Sequence, residues 1–135
     1  MNTLTEIKIS IVSDADIVVA RQQGRDLARR VGFTGTDLTV ISTAICEVAR
    51  NIVEYAVPGD IRIGAIEQNE KCGILVVARD EGPGIQNVSL ALQDGYSSGK
   101  GLGLGLPGAR RLMDEFEIHS TPGKGTTVTM KKWRH

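Results

Sequence analysis

Residues 61–80, IRIGAIEQNEKCGILVVARD, contain two apolar segments with a short polar stretch between them. The segments 61–68 and 72–80 are predicted to be strands, and QNEK at 68–71 is predicted to be the turn that joins them. The second segment is apolar without interruption from Ile74 to Ala78, which is typical of a strand in the middle of a sheet. The sequence therefore predicts a central antiparallel hairpin.

Segments on both sides of this hairpin extend the prediction. Residues 5–12, TEIKISIV, alternate isoleucine with polar residues, which predicts a half-buried strand. Two helices are predicted between that strand and the hairpin. Ser13 and Gly32 bound the first, and the second runs from Thr36 or Asp37 to Pro58. The second helix has an apolar stripe at helical spacing: Leu38, Ile41, Ile45, Val48, Ile52 and Ala56.

The C-terminal part of the chain completes the predicted fold. PGARRLMDEF at 107–116 is predicted to be a third helix, and a closing hairpin turns about residues 122–125. With two hairpins and three helices, we expect an α/β two-layer sandwich. Its sheet would be mixed but mostly antiparallel, with the helices on one face, in one domain spanning residues 1–135.

The composition excludes several classes of protein. Lysine plus arginine and aspartate plus glutamate both number 16, so no net charge attracts nucleic acid or an anionic membrane. Neither a signal-peptide pattern nor an apolar run of transmembrane length is present. Cys46 and Cys72 do not form a C-x-x-C pair, and the sequence offers no cluster typical of a metal site. We therefore expect a cytoplasmic protein with free thiols.

Residues 100–111, KGLGLGLPGARR, allow several interpretations. The alternating leucines argue against a flexible linker. Gly103, Gly105 and Gly108 match G-x-G-x-x-G, but no strand is predicted to precede them as a dinucleotide fingerprint requires. Lys100 is followed by glycine, so the Walker pattern fails as well. A loop whose backbone N–H groups hold phosphate before a helix start remains possible, beside an ordinary mobile surface loop.

Two further sets of residues are ambiguous when each is considered alone. Glu47 and Asn51 lie four residues apart, on one face of the second helix, but such a pair is most often solvated. Asp80, Gly82 and Gly84 follow the central strand, where an acidic residue and glycines are also typical of an ordinary turn.

Taken in order, four segments resemble the ATP-binding boxes of the GHKL superfamily: EVARN at 47–51, DEGPG at 80–84, GLGLGL at 101–106 and GKGTTV at 123–128. The resemblance extends over almost the whole chain. It implies the Bergerat fold, with ATP and Mg²⁺ as cofactors. It also implies an ATP lid at about residues 85–106 that wraps the phosphates with Gly101, Gly103 and Gly105.

The same resemblance implies roles for individual residues. Glu47 would be the general base, and the Asn51 side chain would coordinate Mg²⁺ through its oxygen. Asp80 would accept a hydrogen bond from the adenine amino group. The remaining positions implied to contact the nucleotide are Gly82 and Gly84, which allow close approach of the base, and Thr126 on the adenine side. Lys100 directly precedes the glycine loop, where it could either reach the γ-phosphate or be a solvated lysine of the lid.

Within this superfamily the chain is most similar to the stand-alone bacterial anti-sigma and switch serine kinases. That branch implies phosphorylation of a small STAS-domain protein on serine or threonine, followed by activation of a PP2C-type phosphatase in the general stress response. Two alternatives stay open: an anti-sigma factor or ATP-binding switch that sequesters a sigma factor, and an α/β interaction domain without nucleotide.

Overall fold

The structure is a computed structural model that describes residues 2–82 and 105–134. These residues form five strands and three helices. The strands are β1 (Asn2–Ile11), β2 (Gly59–Gln68), β3 (Lys71–Asp80), β4 (Glu115–Thr121) and β5 (Gly125–Trp133). The helices are α1 (Asp14–Val31), α2 (Thr36–Tyr55) and α3 (Gly105–Leu112). The predicted central hairpin is confirmed as β2 and β3.

The five strands form one sheet in the order β1-β2-β3-β5-β4. Register is consistent across its centre, where Ile63 of β2 pairs with Val76 of β3, and Val76 pairs with Met130 of β5. All three side chains are fully buried. Because side chains alternate between the faces of a strand, this register collects the apolar residues of three strands on one face.

The helices cover that apolar face and complete a two-layer α/β sandwich, as expected. Helix α2 supplies most of its apolar stripe to the core, including Ile41, Ile45 and Ile52, none of them more than 2% exposed. Helix α1 contributes Leu27 and Ala28. Helix α3 adds Leu106, Ala109 and Met113, the last just after its end. Burial of a large aliphatic side chain stabilises a fold by about 1.5–3 kcal/mol, so this shared core determines how the helices are positioned.

Helix α1 begins and ends where the sequence indicates. At its start the Asp16 carboxylate accepts hydrogen bonds from the backbone N–H groups of Val12 and Ser13, at 2.8 and 3.1 Å. At its end Gly32 has φ +113°, and its N–H donates to the carbonyl of Ala28 at 3.1 Å. A left-handed residue is the usual stop of a helix, and glycine adopts it without strain.

Two details of the predicted fold are corrected. The sheet is antiparallel at all four described pairings, and not mixed. Strand β5 lies between β3 and β4 in the sheet. Strand β4, which runs parallel to β3, therefore lies at the edge and does not pair with β3.

Helix α3 spans 105–112 instead of 107–116, because Phe116 and Ile118 pair with Met130 and Val128 as part of strand β4. Packing of these apolar side chains in the sheet thus outweighs the helical pattern of the sequence, and the helix ends earlier than predicted.

Candidate functional site

The end of strand β3 holds the first group of predicted site residues. Asp80 Oδ1 accepts hydrogen bonds from the backbone N–H groups of Gly82, at 3.0 Å, and Thr126, at 3.2 Å. Burial raises the pKa of the Asp80 carboxyl, and these two hydrogen bonds oppose the rise. Within the described residues no donor contacts Oδ2, so this oxygen is available to a ligand amino group.

Thr126 is placed beside Asp80 by the pairing of β5 with β3. It is only 5% exposed, and its hydroxyl lies 2.8 Å from the Ser120 hydroxyl on the neighbouring strand β4. Ser120 was not a predicted site residue, because only the register of β4 on β5 brings it to Thr126. The hydroxyl pair orients the Thr126 side chain at the edge of the site.

Two glycines allow the close contacts at this end of the sheet. A Cβ at Gly82 would lie 2.6 Å from the Ala56 Cβ, so only glycine lets the chain after β3 pass the end of helix α2. Gly125 has φ +100°, and a Cβ there would lie 2.2 Å from the Asp80 carbonyl oxygen. Gly125 was not predicted as a site residue, although it belongs to the GKGTTV segment.

Helix α2 carries the second group of predicted site residues. Glu47 is 4% exposed, and its Oε1 accepts a hydrogen bond from Arg50 Nη1 at 3.1 Å. The guanidinium neutralises a carboxylate that would be costly to bury alone. The half-buried Asn51 side chain makes no hydrogen bond to any described residue, so its amide oxygen is available as a ligand.

Glu54 is a further acidic residue at this face of α2. Both of its carboxylate oxygens are shielded from solvent, and no donor among the described residues contacts them. The residue lies three and seven positions after Asn51 and Glu47, spacings that bring all three to one side of the helix. This spacing is the sequence signal from which Glu54 could have been predicted as a site residue. Arg50 is 25% exposed and pairs with Glu47.

The two groups meet through the last turns of α2. Asn51 lies five residues before Ala56, which is about 7.5 Å along a helix axis, and Ala56 contacts Gly82. The polar side chains of α2 and the Asp80 carboxylate thus flank the same end of the helix. A carboxylate acceptor, an amide oxygen and a buried carboxylate are suited to binding a polar ligand and moving a proton.

Several predicted positions cannot be compared with the structure. Gly84, Lys100, Gly101 and Gly103 lie outside the described residues, as does the predicted lid apart from its last two positions. Those two positions belong to helix α3, of which Gly105 is the first residue and Leu106 is buried in the core.

The described residues contain neither a cluster of metal-ligating side chains nor a helix that could span a membrane. Across residues 2–82 and 105–134 no three histidine, cysteine or acidic side chains are grouped as a metal site. An Mg²⁺ ion held by one protein oxygen, with phosphates and water as its other ligands, needs no such group. In the same residues no helix has the length and apolar character to cross a membrane.

Comparison with known proteins finds similar sequences over most of the chain. Residues 12–132 match the family model described as the histidine kinase-like ATPase domain. The serine/threonine-protein kinase RsbT of Bacillus subtilis (strain 168) is 46% identical over 125 residues, covering 93% of this chain and 94% of that protein. An anti-sigma F factor of Caldanaerobacter subterraneus subsp. tengcongensis is 33% identical and covers 98% of this chain and 94% of its own.

A solved structure supports the same fold. The mycobacterial sensor histidine kinase MprB superimposes with a TM-score of 0.56, covering 96% of this chain and 97% of that one. Its sequence identity is 15%, so this similarity concerns the fold alone.

Proposed function

We propose that this chain, which belongs to the family of histidine kinase-like ATPase domains, is a protein serine/threonine kinase that uses ATP. One observation carries the proposal: Glu47 is a buried carboxylate held by Arg50, one helical turn before Asn51. A domain that only binds nucleotide does not need such a carboxylate. The 46% identity to a serine/threonine kinase over most of both chains supports the assignment.

Binding of the nucleotide base is assigned to the end of β3. Asp80 Oδ2 would accept a hydrogen bond from the adenine amino group, while Oδ1 stays engaged by the N–H groups of Gly82 and Thr126. Thr126 would line the adenine side. Gly82 and Gly84 would let the chain pass close to the base. The positions assigned to the phosphates are the lid residues Lys100, Gly101, Gly103 and Gly105.

Proton transfer is assigned to helix α2. When bound, ATP supplies the phosphoryl group, and Mg²⁺ offsets the charge on its oxygens. Asn51 would hold Mg²⁺ through its amide oxygen. Glu47 would accept the proton of the attacking serine or threonine hydroxyl at Oε2, the oxygen that Arg50 does not contact, while Arg50 keeps the carboxylate in position.

The partners belong to the proposal as well. A STAS-domain protein would be the phosphoacceptor, and a PP2C-type phosphatase would be activated once the kinase is released. The similarity to both a serine/threonine kinase and an anti-sigma F factor supports a role in partner switching. A cytoplasmic location fits the free Cys46 and Cys72, because thiols persist in a reducing compartment.

The second candidate function is sequestration of a sigma factor, which the 33% identity to an anti-sigma F factor favours. In that case ATP would occupy the same site, but the function of the protein would be to bind the sigma factor. Capture of a purified sigma factor, compared with capture of a STAS-domain protein and of a phosphatase, distinguishes the two functions.

The test of the kinase proposal is transfer of labelled γ-phosphate from ATP to a purified STAS-domain protein. Glu47→Gln should reduce the transfer rate by about 100-fold or more and keep ATP affinity, because general-base catalysis contributes about 10²–10⁴-fold. The matched control is Glu67→Gln, at an exposed position of β2, which should transfer phosphate at the wild-type rate. Full transfer by Glu47→Gln with normal ATP affinity would refute the assignment of the base.

A further inference from the structure

Glu54, in the last turn of helix α2, is a carboxylate that the described part of the fold leaves without a partner. Both of its oxygens are shielded from solvent, and no donor in residues 2–82 or 105–134 contacts either one. Removal of a carboxylate from water is unfavourable unless hydrogen bonds or an opposite charge replace the water. The side chain is therefore arranged for a ligand that supplies positive charge.

The position of Glu54 in the helix adds to this unfavourable environment. Helix α2 ends at Tyr55, and its last turn contains no basic residue. The carboxyl end of a helix carries partial negative charge, which stabilises cations and destabilises anions. A cation bound beside Glu54 would interact favourably with both the side chain and the end of the helix.

Arg50 does not neutralise Glu54. It lies four positions earlier, a spacing at which an arginine can pair with a glutamate on a helix surface. Its guanidinium instead donates to Glu47 Oε1 at 3.1 Å. The two carboxylates on this face of α2 are thus different, because Glu47 is paired with an arginine, whereas Glu54 is available to a bound cation.

Asn51 lies between the two carboxylates and is the residue already assigned to Mg²⁺. With 3.6 residues per turn, Glu47, Asn51 and Glu54 fall within about 60° around the helix axis. Along the axis Asn51 is about 4.5 Å from Glu54 and about 6 Å from Glu47. Amide and carboxylate oxygens are hard ligands that suit Mg²⁺, whose remaining positions are filled by water and phosphate. A metal ion at Asn51 would therefore be within reach of the unpaired carboxylate.

We infer that Glu54 holds the Mg²⁺ of the bound nucleotide together with Asn51, either directly or through one water molecule of the metal's shell. The inference rests on the proposed use of ATP, and it assigns a metal-binding role to a residue that the kinase proposal leaves without one. Glu47 then serves proton transfer and Glu54 serves the metal. Because phosphates repel the Glu54 carboxylate when no cation lies between them, this residue makes ATP binding depend on Mg²⁺.

The first experiment measures how strongly Mg²⁺ promotes ATP binding. ATP is titrated into the full chain by isothermal calorimetry, once with EDTA and once with excess Mg²⁺, and the ratio of the two Kd values gives the coupling between metal and nucleotide. Glu54→Gln should reduce this ratio by about tenfold or more, because loss of a group that holds a metal or its ligands typically weakens metal binding by about 10–100-fold. The matched control Glu67→Gln, at an exposed position of β2, should keep the ratio within about twofold.

The change in the ratio has a characteristic sign in each condition. With Mg²⁺, Glu54→Gln should bind ATP more weakly than wild type, and with EDTA it should bind as tightly or more tightly, because the repulsion is gone. Glu54→Asp keeps the charge and should retain a larger ratio than Glu54→Gln. An unchanged ratio in Glu54→Gln, or weaker binding by the same factor in both conditions, would overturn the inference.

A second experiment tests the environment of Glu54 without nucleotide or metal. In urea denaturation Glu54→Gln should unfold at a higher midpoint than wild type, because glutamine removes a shielded charge and keeps the shape of the side chain. Glu67→Gln should unfold at the wild-type midpoint. A side chain that only supports the fold would give the opposite result, so a lower midpoint for Glu54→Gln would also overturn the inference.

Neither experiment depends on phosphoryl transfer, so the two proposals fail separately. If wild type transfers no phosphate to a STAS-domain protein but the Mg²⁺ ratio falls in Glu54→Gln, the kinase proposal fails and the assignment of Glu54 stands. If wild type transfers phosphate and Glu54→Gln keeps the wild-type ratio, the assignment of Glu54 fails and the kinase proposal stands.

Discussion

At the residue scale, the interaction between Glu47 and Arg50 has the largest effect on the proposed chemistry. The carboxylate is 4% exposed and the guanidinium is 25% exposed, so the pair is shielded much more than a surface salt bridge. Arg50 donates a hydrogen bond to Oε1 of Glu47 and does not contact Oε2, the oxygen that is proposed to accept the proton.

Removal of Arg50 tests this pairing. Arg50→Ala should lower the free energy of unfolding by about 1–3 kcal/mol, because it leaves a buried carboxylate without its donor. The matched control is Arg29→Ala, which breaks an ion pair whose side chains are 57% and 67% exposed, and it should cost less than about 0.5 kcal/mol. Urea denaturation of both variants measures the difference. Equal losses would show that the environment of Glu47 does not depend on Arg50.

Asp80 gives stability a specific pH dependence. Burial raises its pKa in the folded state, so the folded protein holds this proton more tightly than the unfolded chain, whose ordinary pKa is 3.8. The stabilisation is therefore complete below pH 3.8 and is lost as the pH rises through the folded pKa.

The variant Asp80→Asn tests this pH dependence, because it keeps an oxygen acceptor for the N–H groups of Gly82 and Thr126 but cannot ionise. Without nucleotide, the wild-type free energy of unfolding, relative to that of the variant, should decrease as the pH rises from 3.8 and then level off. Denaturant titrations at a series of pH values provide the measurement. A difference that increases with pH would mean that the hydrogen bonds outweigh burial.

At the element scale, the start of strand β5 positions the Asp80 site. The N–H of Thr126 contacts Asp80 because Gly125 crosses the Asp80 backbone with almost no space between them. The Thr126 side chain then meets Ser120 of β4. Three strands thus depend on the backbone conformation of one glycine.

Substitution of Gly125 should reveal that dependence. Gly125→Ala should lower the free energy of unfolding by about 3 kcal/mol or more, because it adds a steric clash to a positive φ. Gly123→Ala is the control, since Gly123 also has positive φ (+81°) but nothing within 4 Å of its Cβ position, and should cost about 1–2 kcal/mol. Chemical denaturation distinguishes them, and equal costs would mean that the clash is relieved without loss of stability.

The sequence predicts elements better than it predicts their contacts. The hairpin at 61–80 follows from local pattern, and helix α2 follows from its apolar stripe. The antiparallel sheet was only partly predicted, because no local signal says whether β4 or β5 pairs with β3. The predicted end of helix α3 was wrong for a similar reason, since the apolar spacing of Met113 and Phe116 fits both a helix and the start of a strand.

The candidate site shows the same limit. Glu47, Asn51 and Asp80 were identified from the order of short motifs, and the structure adds what lies around them. A sequence does not state whether a long arginine side chain extends into water or turns back, so the contact of Arg50 with Glu47 was not predicted. The approach of Gly125 to Asp80 is likewise a tertiary contact between residues 45 positions apart in the chain, since 125 − 80 = 45.

At the scale of the whole molecule, the two layers carry different parts of the proposed reaction. In the proposed reaction the sheet would supply Asp80 and Thr126 for the base of the nucleotide, while α2 would supply Glu47 and Asn51 for proton transfer and the metal. Helix α2 packs on the sheet through its apolar stripe and against both α1 and α3. Because this core is shared, the two halves of the site are positioned by the same packing that stabilises the fold.

The chemical nature of the phosphorylated product shows whether the protein is a serine/threonine kinase. The full chain is incubated with labelled ATP, Mg²⁺ and a STAS-domain protein, and the labelled acceptor is then exposed to acid and mapped by mass spectrometry. We expect label on a serine or threonine that survives acid treatment, as a phosphate ester does. Label that is lost in acid and maps to histidine, or bound ATP without any transfer, would contradict it.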